Sequence, residues 1–143
     1  MQPTLTLTDA PEPHIRQAIA APLIQFNNSR ASQPEDYRFL VIVLSNPYTD
    51  EILGGLWGAT NFAHLHVDLL FVPEPLRGIG LGRKMLIEAE REAITRGCRG
   101  AWLDTYSFQA RGFYERLGYT VFGMIDDYPP GQRRVFLHKT LFG

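Results

Sequence analysis

RGIGLGR, residues 77–83, sets three glycines among seven residues and closes both ends with arginine. Glycine loses more chain freedom on folding than any other residue, so three together need a structural reason. The stretch before it, AHLHVDLLFV (63–72), alternates. Its even positions carry His64, His66, Asp68 and Leu70, and its odd positions Leu65, Val67, Leu69 and Phe71. That is the period of a strand with an apolar odd face and polar chemistry on the other. Pro73 and Pro75 end it. After the glycines, Leu81, Met85, Leu86, Ala89 and Ala93 recur at helical spacing, with Lys84, Glu88, Arg91 and Thr95 on the outer side. Glu92 is placed to pair with Arg96, and Gly97 is a C-cap. A strand, a bare turn and a helix in that order predict an anion site. The first amides of a helix lack internal partners, and its dipole puts partial positive charge there. Absent side chains let the amides of Gly78, Gly80 and Gly82 converge on phosphate oxygens, and Arg77 and Arg83 add full charges.

The flanking sequence supplies the other elements. Residues 14–30 have helical periodicity, with Ile15, Ile19, Leu23 and Phe26 on one face and Pro22 expected to kink or divide the helix. YRFLVIVLS (37–45) and ILGGLWGAT (52–60) are strands joined by the turn cluster NPYTDE. GAWLDT (100–105) is a short buried strand. SFQARGFYERL (107–117) is a helix closed by Gly118, and YTVFGMI and RRVFLHKTL are strands flanking the loop DDYPPGQ. The order α, β, β, β, α, β, α, β, β predicts one parallel right-handed crossover, residues 63–105, within an otherwise antiparallel sheet. With no repeat, linker or low-complexity tract, residues 1–143 are expected to form a single domain.

The totals narrow the function. A formal net charge of -1 gives no electrostatic case for nucleic acid or an anionic membrane as partner. No stretch approaches the roughly 18 apolar residues of a membrane span. The N-terminus lacks the basic start and apolar run of a secretory signal, so a cytoplasmic protein is expected. The one cysteine, Cys98, cannot form an internal disulfide and is expected to be a buried small residue rather than a nucleophile.

Two common phosphate motifs fail. A P-loop needs lysine then Ser or Thr after the last glycine, where this chain has Arg83 and Lys84. The dinucleotide fingerprint needs G-x-G-x-x-G, whereas these glycines alternate at 78, 80 and 82. Arg77-x-x-Gly80-x-Gly82, preceded by VPEPL and followed by an amphipathic helix, instead resembles the pyrophosphate signature of the GNAT superfamily of N-acetyltransferases. FYERLGY (113–119) resembles that superfamily's second signature, and the element order fits over nearly the whole chain.

The resemblance implies an α/β fold with a central, mixed, mostly antiparallel and splayed sheet flanked by helices. It implies acetyl-coenzyme A as acyl donor, no metal, and direct transfer to an amine without a covalent enzyme intermediate. The amides of Gly78, Ile79, Gly80, Leu81, Gly82 and Arg83 would hold the pyrophosphate, with Arg77 beside them. Backbone groups of Leu70 and Val72 would pair with the pantetheine arm like an added strand. Tyr114 falls on the family's usual general acid, with Tyr106 as a rival. Ser107 stands where the family often has asparagine against the cofactor. His66 occupies a place where some members carry glutamate or histidine as base; Asp68 and a water chain are the other candidates. A metal site from His64, His66 and Asp68 would be a poor cage, since all three lie on one face of one strand. The acceptor is a small-molecule amine or a peptide amine, with Trp57, Tyr106, Asp126, Asp127 and Tyr128 as candidate pocket groups. Two rival functions are an acyl-coenzyme A sensor without turnover and a modifier of protein N-termini or aminoacyl-tRNA. A homodimer through the last strands is the family's habit.

Overall fold

The computed structural model describes residues 1–142. The chain divides into two compact units, residues 1–35 and residues 36 onward. The first unit holds α1, Pro13–Arg30, which opens on a proline at its first turn, where a missing N–H costs nothing. The expected break at Pro22 does not occur: α1 is one continuous helix. Pro22 removes a single i→i−4 bond, and the turns on either side carry the helix past it. None of its residues is buried, so its apolar stripe, including Ile19, Leu23 and Phe26, is not a core of its own.

The second unit is a six-stranded mixed sheet flanked by helices. Its strands are β1 (Arg38–Ser45), β2 (Ile52–Asn61), β3 (His64–Phe71), β4 (Gly100–Tyr106), β5 (Thr120–Asp126) and β6 (Arg133–Thr140). They lie in the order β1-β2-β3-β4-β6-β5. β3 and β4 are parallel, joined through α2 (Leu81–Thr95), and all other neighbours are antiparallel. One face of the sheet buries Leu40, Leu56, Leu65, Val67, Leu103 and Leu137 against Leu86, Ala89 and Ala93 of α2. Gly97, at φ 85°, ends α2 as expected: its N–H reaches the Ile94 carbonyl and the Cys98 N–H the Ala93 carbonyl, a Schellman closure. Glu90, buried on α2, accepts from the Tyr119 hydroxyl at 2.8 Å and from Lys139 Nζ at 2.7 Å. A buried carboxylate is tolerable when paired this way, and the pairing ties α2 to β6.

Two irregularities position the site. The first is a bulge in β3. Trp57 pairs with Leu69 and Gly58 with Val67, so Asp68 is one residue too many. The alternation read from the sequence therefore holds only to Val67. Beyond the bulge Leu70 packs on the core, while Leu69 and Phe71, expected inside, are 62% and 52% exposed. The second is a fork. His64–Val67 pair with Gly100–Leu103, and there the pairing stops. β3 runs on to Phe71 alongside β2, and β4 runs on to Tyr106 alongside β6. The sheet is splayed between them.

α3 is shorter than its expected span of 107–117 and covers Arg111–Arg116. Side-chain bonds take over the preceding residues. Gln109 Oε1 accepts from the Tyr106 N–H at 2.8 Å and the Thr105 hydroxyl at 2.9 Å. Ser107 extends the β4–β6 ladder: its N–H donates to the Arg133 carbonyl, and its Oγ accepts from the Arg133 N–H. Such local bonding offers the backbone an alternative to helix.

Candidate active site

The glycine turn follows β3 through a single 3-10 turn, Glu74–Leu76. Gly78 and Gly80 hold φ of 83° and 86°, a left-handed conformation that side chains disfavour. A Cβ added at either would meet no atom within 4 Å, so the space over this turn is open. The first helical N–H to reach back is that of Lys84, to the Gly80 carbonyl. The amides of Leu81, Gly82 and Arg83 are thus left at the positive end of α2. Bare backbone, free amides and helix polarity together suit a diphosphate.

Two members of the turn do other work. A Cβ on Gly82 would lie 3.3 Å from Phe113 Cζ and 3.9 Å from Val72 Cγ2, so its missing side chain admits α3 rather than an anion. Arg77 donates from Nε to the Val72 carbonyl at 2.8 Å, and its guanidinium lies 5.8 Å from the Phe71 ring. Arg77 therefore clamps the turn onto the strand end. Val72 lies just past the last residue of β3, and Leu70 is its last core-packed residue. Ile79 and Arg83 are exposed. The Ser107 Oγ is engaged with Arg133, as described above.

Asp104, one residue past the end of the β3–β4 pairing, acts electrostatically on two titratable groups, Tyr114 and His66. Tyr114 lies on the core side, its ring edge-on to Phe113 and Tyr119. Its hydroxyl makes no hydrogen bond among the described residues, and burial, then the Asp104 charge, push its pKa up. Tyr114 is therefore a phenol, a proton donor, at neutral pH. His66 lies on the opposite face of the sheet, stacked on Trp102 at 3.9 Å between ring centroids and 11° between planes. Burial lowers its pKa most; the charges of Asp68 and Asp104 pull the other way, and Arg134 adds to the lowering. The imidazole is thus neutral at pH 7, and its Nε2 is buried without a hydrogen-bond partner among the described residues. A buried imidazole nitrogen with no partner is unusual in a folded protein.

Asp104, absent from the residues singled out by sequence, acts on both groups. It is held by Arg134, whose Nε donates to its Oδ2 at 2.6 Å. The shared face of Asp104 was legible in principle; its pairing with Arg134 was not. Trp102, Asp104 and Tyr106 alternate with Ala101, Leu103 and Thr105 as clearly as the residues of β3 do.

Other sequence candidates separate from this cluster. Asp68 is exposed in the bulge, near enough to His66 to act on it electrostatically. Tyr106 lies beneath Arg134, stacked on Phe108, rather than beside Tyr114. Trp57 packs on Phe39. Asp126 pairs with Arg133 in solvent, and Asp127 accepts the Gly131 N–H inside its own loop. Tyr128 does join the cluster, accepting from Arg134 Nη1 at 2.8 Å. His64 lies beside His138, 5.8 Å between ring centroids, with Nδ1 at 3.1 Å from the Phe62 carbonyl. Among the described residues no three His, Cys, Asp or Glu side chains are placed to hold a metal, and no helix is long and apolar enough to cross a membrane. Cys98 is buried, and burial raises its thiol pKa, which leaves it un-ionised.

Comparison with known proteins agrees with this geometry. Residues 4–119 match the acetyltransferase (GNAT) family. An acetyltransferase of Agrobacterium fabrum is 40% identical over 133 residues, 93% of this chain and 96% of that protein. A blasticidin-S acetyltransferase of Streptomyces morookaense is 46% identical over 92 residues, 64% of this chain and 68% of the relative. A crystal structure described as an acetyltransferase from Agrobacterium tumefaciens superposes with a TM-score of 0.89 at 39% identity, covering 96% of this chain and 98% of that one. A forked sheet with a bare glycine turn at its fork, and relatives of this likeness over nearly the full length, mean that the chain belongs to the GNAT family and is an acetyltransferase.

Proposed function

We propose that this chain is an N-acetyltransferase that moves an acetyl group from acetyl-coenzyme A directly to a primary amine, with residues 1–143 as one catalytic domain. The observation that carries the reading is the fork beyond Val67 and Leu103, with a protonated Tyr114 on one side and a neutral His66 on the other. The open backbone at Gly78 and Gly80 fits the donor's diphosphate, and the amides of Leu81 to Arg83 would hold it. Past Leu70, strand-end backbone is free of β4 and would pair with the donor's amide-bearing arm. The donor supplies a thioester already activated toward amines.

The residues divide the proton work. An amine near pKa 10 arrives mostly as ammonium. His66 Nε2, directly or through a water, takes the first of the two protons that the ammonium nitrogen must lose, and Asp104 and Asp68 stabilise the imidazolium so formed. The nitrogen bonds to the carbonyl carbon, the C–S bond breaks and the sulfur takes the Tyr114 proton, while the second proton shed by the nitrogen passes through water to the tyrosinate and restores the phenol. The small-molecule acceptor class is supported by the blasticidin-S relative. The location is proposed to be cytoplasmic, and a second copy is proposed to dock through β5 and β6.

The test is thiol release from acetyl-coenzyme A over a panel of small amines, with donor binding measured by calorimetry. Release that depends on amine is expected. Tight binding with no release would instead make the chain a sensor, and release only with a peptide N-terminus or aminoacyl-tRNA would make it a macromolecular modifier.

The pH profile isolates His66. A base must be deprotonated to work, so kcat/KM rises with pH through the His66 pKa, which burial sets below the usual 6.5. His66→Ala is expected to lose about 10²-fold in kcat/KM at pH 7 and to lose that acid limb. An unchanged limb in the variant would remove His66 from the reaction.

A further inference from the structure

Arg134 lies on the His66 face and is held more firmly than a solvated surface arginine. Its Nε donates to Asp104 at 2.6 Å and its Nη1 to the Tyr128 hydroxyl at 2.8 Å. The guanidinium lies 5.6, 5.1 and 5.3 Å from the ring centroids of Tyr106, Tyr128 and Phe136. Tyr128 is presented by a loop that is itself closed, its N–H on the Gln132 carbonyl and the Gly131 N–H on Asp127. Ordering a long side chain normally costs entropy on binding; here the fold has already ordered it. A guanidinium carries five N–H donors, and this one spends two. Nη2 has no acceptor among the described residues, and the side chain is 27% exposed. A planar cation fixed by two bonds and three rings, with donors left over, is built to receive a planar anion.

We infer that Arg134 binds a carboxylate carried by the acceptor, so that the preferred acceptor is an amino acid or another small amine bearing an acid group. Asp104 and Arg134 then present a negative and a positive charge in sequence along the sheet face, complementary to an ammonium and a carboxylate on one small molecule. The carboxylate anchors the acceptor and turns its amine toward His66. This rests on the acetyltransferase reading above and adds the acceptor's chemical class.

The test compares glycine, β-alanine and 4-aminobutyrate, each against its own primary amide, with kcat/KM expressed per free amine. At the best-fitting chain length the acid is expected to exceed its amide by roughly 10- to 100-fold, the worth of one charge-assisted bond pair. In Arg134→Met that ratio is expected to fall to about one. The freed Asp104 would itself repel the acid more than the amide, so Arg134→Met is paired with Arg134→Met/Asp104→Asn, in which that charge is gone; the ratio is expected to stay near one there as well, and its recovery in the double variant would overturn the carboxylate site. Equal kcat/KM for acid and amide in the wild type, with both turned over, overturns the carboxylate site and leaves the acetyltransferase reading standing. A ratio that survives Arg134→Met also overturns it. No turnover of any amine, with donor binding intact, overturns the small-amine acceptor reading and this inference with it.

Discussion

Tyr114→Phe is expected to lower kcat by about 10²- to 10⁴-fold, the range for removing a positioned general acid. The substitution deletes one oxygen and keeps the ring. The ring's edge contacts with Phe113 and Tyr119 therefore persist. The hydroxyl has no hydrogen-bond partner among the described residues, so its loss leaves no orphaned polar group. Stability should change little, and donor Kd should stay within a few-fold, because the diphosphate is proposed to be held at the glycine turn. The leaving sulfur then departs without a proton and the barrier rises. Stopped-flow thiol release and calorimetric titration with coenzyme A, run on the same preparation, check the two halves. An unchanged kcat would take Tyr114 out of the mechanism. Tyr106→Phe separates the rival: it keeps the ring under Arg134 and removes only the hydroxyl, so kcat should stay within a few-fold of wild type.

The contrast between these tyrosines shows how far the sequence could be read. Local pattern placed the strand, turn and helix around residues 63–96, because alternation, proline and glycine each act within a few residues. It placed Tyr114 through a motif carried by consecutive residues. It could not place the bulge at Asp68, since an extra residue in one strand is defined only by the register of its partner, here Trp57 and Gly58. It therefore sent Leu69 and Phe71 to the wrong face. Nor did it find the Asp104–Arg134 pair, whose members are brought together by the register of β4 on β6, in which Tyr106 lies opposite Arg134. Ser107 fell into an expected helix because the competing bonds to Arg133 come from a strand far along the chain. Chemistry that depends on pairing between distant segments was hidden; chemistry written in one turn was not.

That turn supplies the second large effect. Gly80→Leu is expected to raise the donor Kd by about 10²- to 10³-fold, or about 3–4 kcal/mol. The substitution has two separate physical consequences. The left-handed φ of 86° costs a residue with a Cβ about 1–2 kcal/mol. The new side chain also stands in the open space beside the helix-start amides, where an anion would otherwise gain charge-assisted bonds. The first term acts on stability and the second on binding, so they separate experimentally. Gly80→Asn tolerates the left-handed backbone better than leucine does and should recover most of the loss in melting temperature while still impairing the donor. Acetyl-pantetheine, which lacks the diphosphate, provides the internal control. The wild type should prefer acetyl-coenzyme A strongly, and Gly80→Leu should lose that preference while acetyl-pantetheine is used about as poorly as before. If a folded Gly80→Leu protein bound acetyl-coenzyme A with wild-type affinity, the diphosphate would have to sit elsewhere. The proposed path of the donor from the turn into the fork between β3 and β4 would then have no anchor, because Gly82 is closed against Phe113 and the Arg77 Nε is spent on Val72.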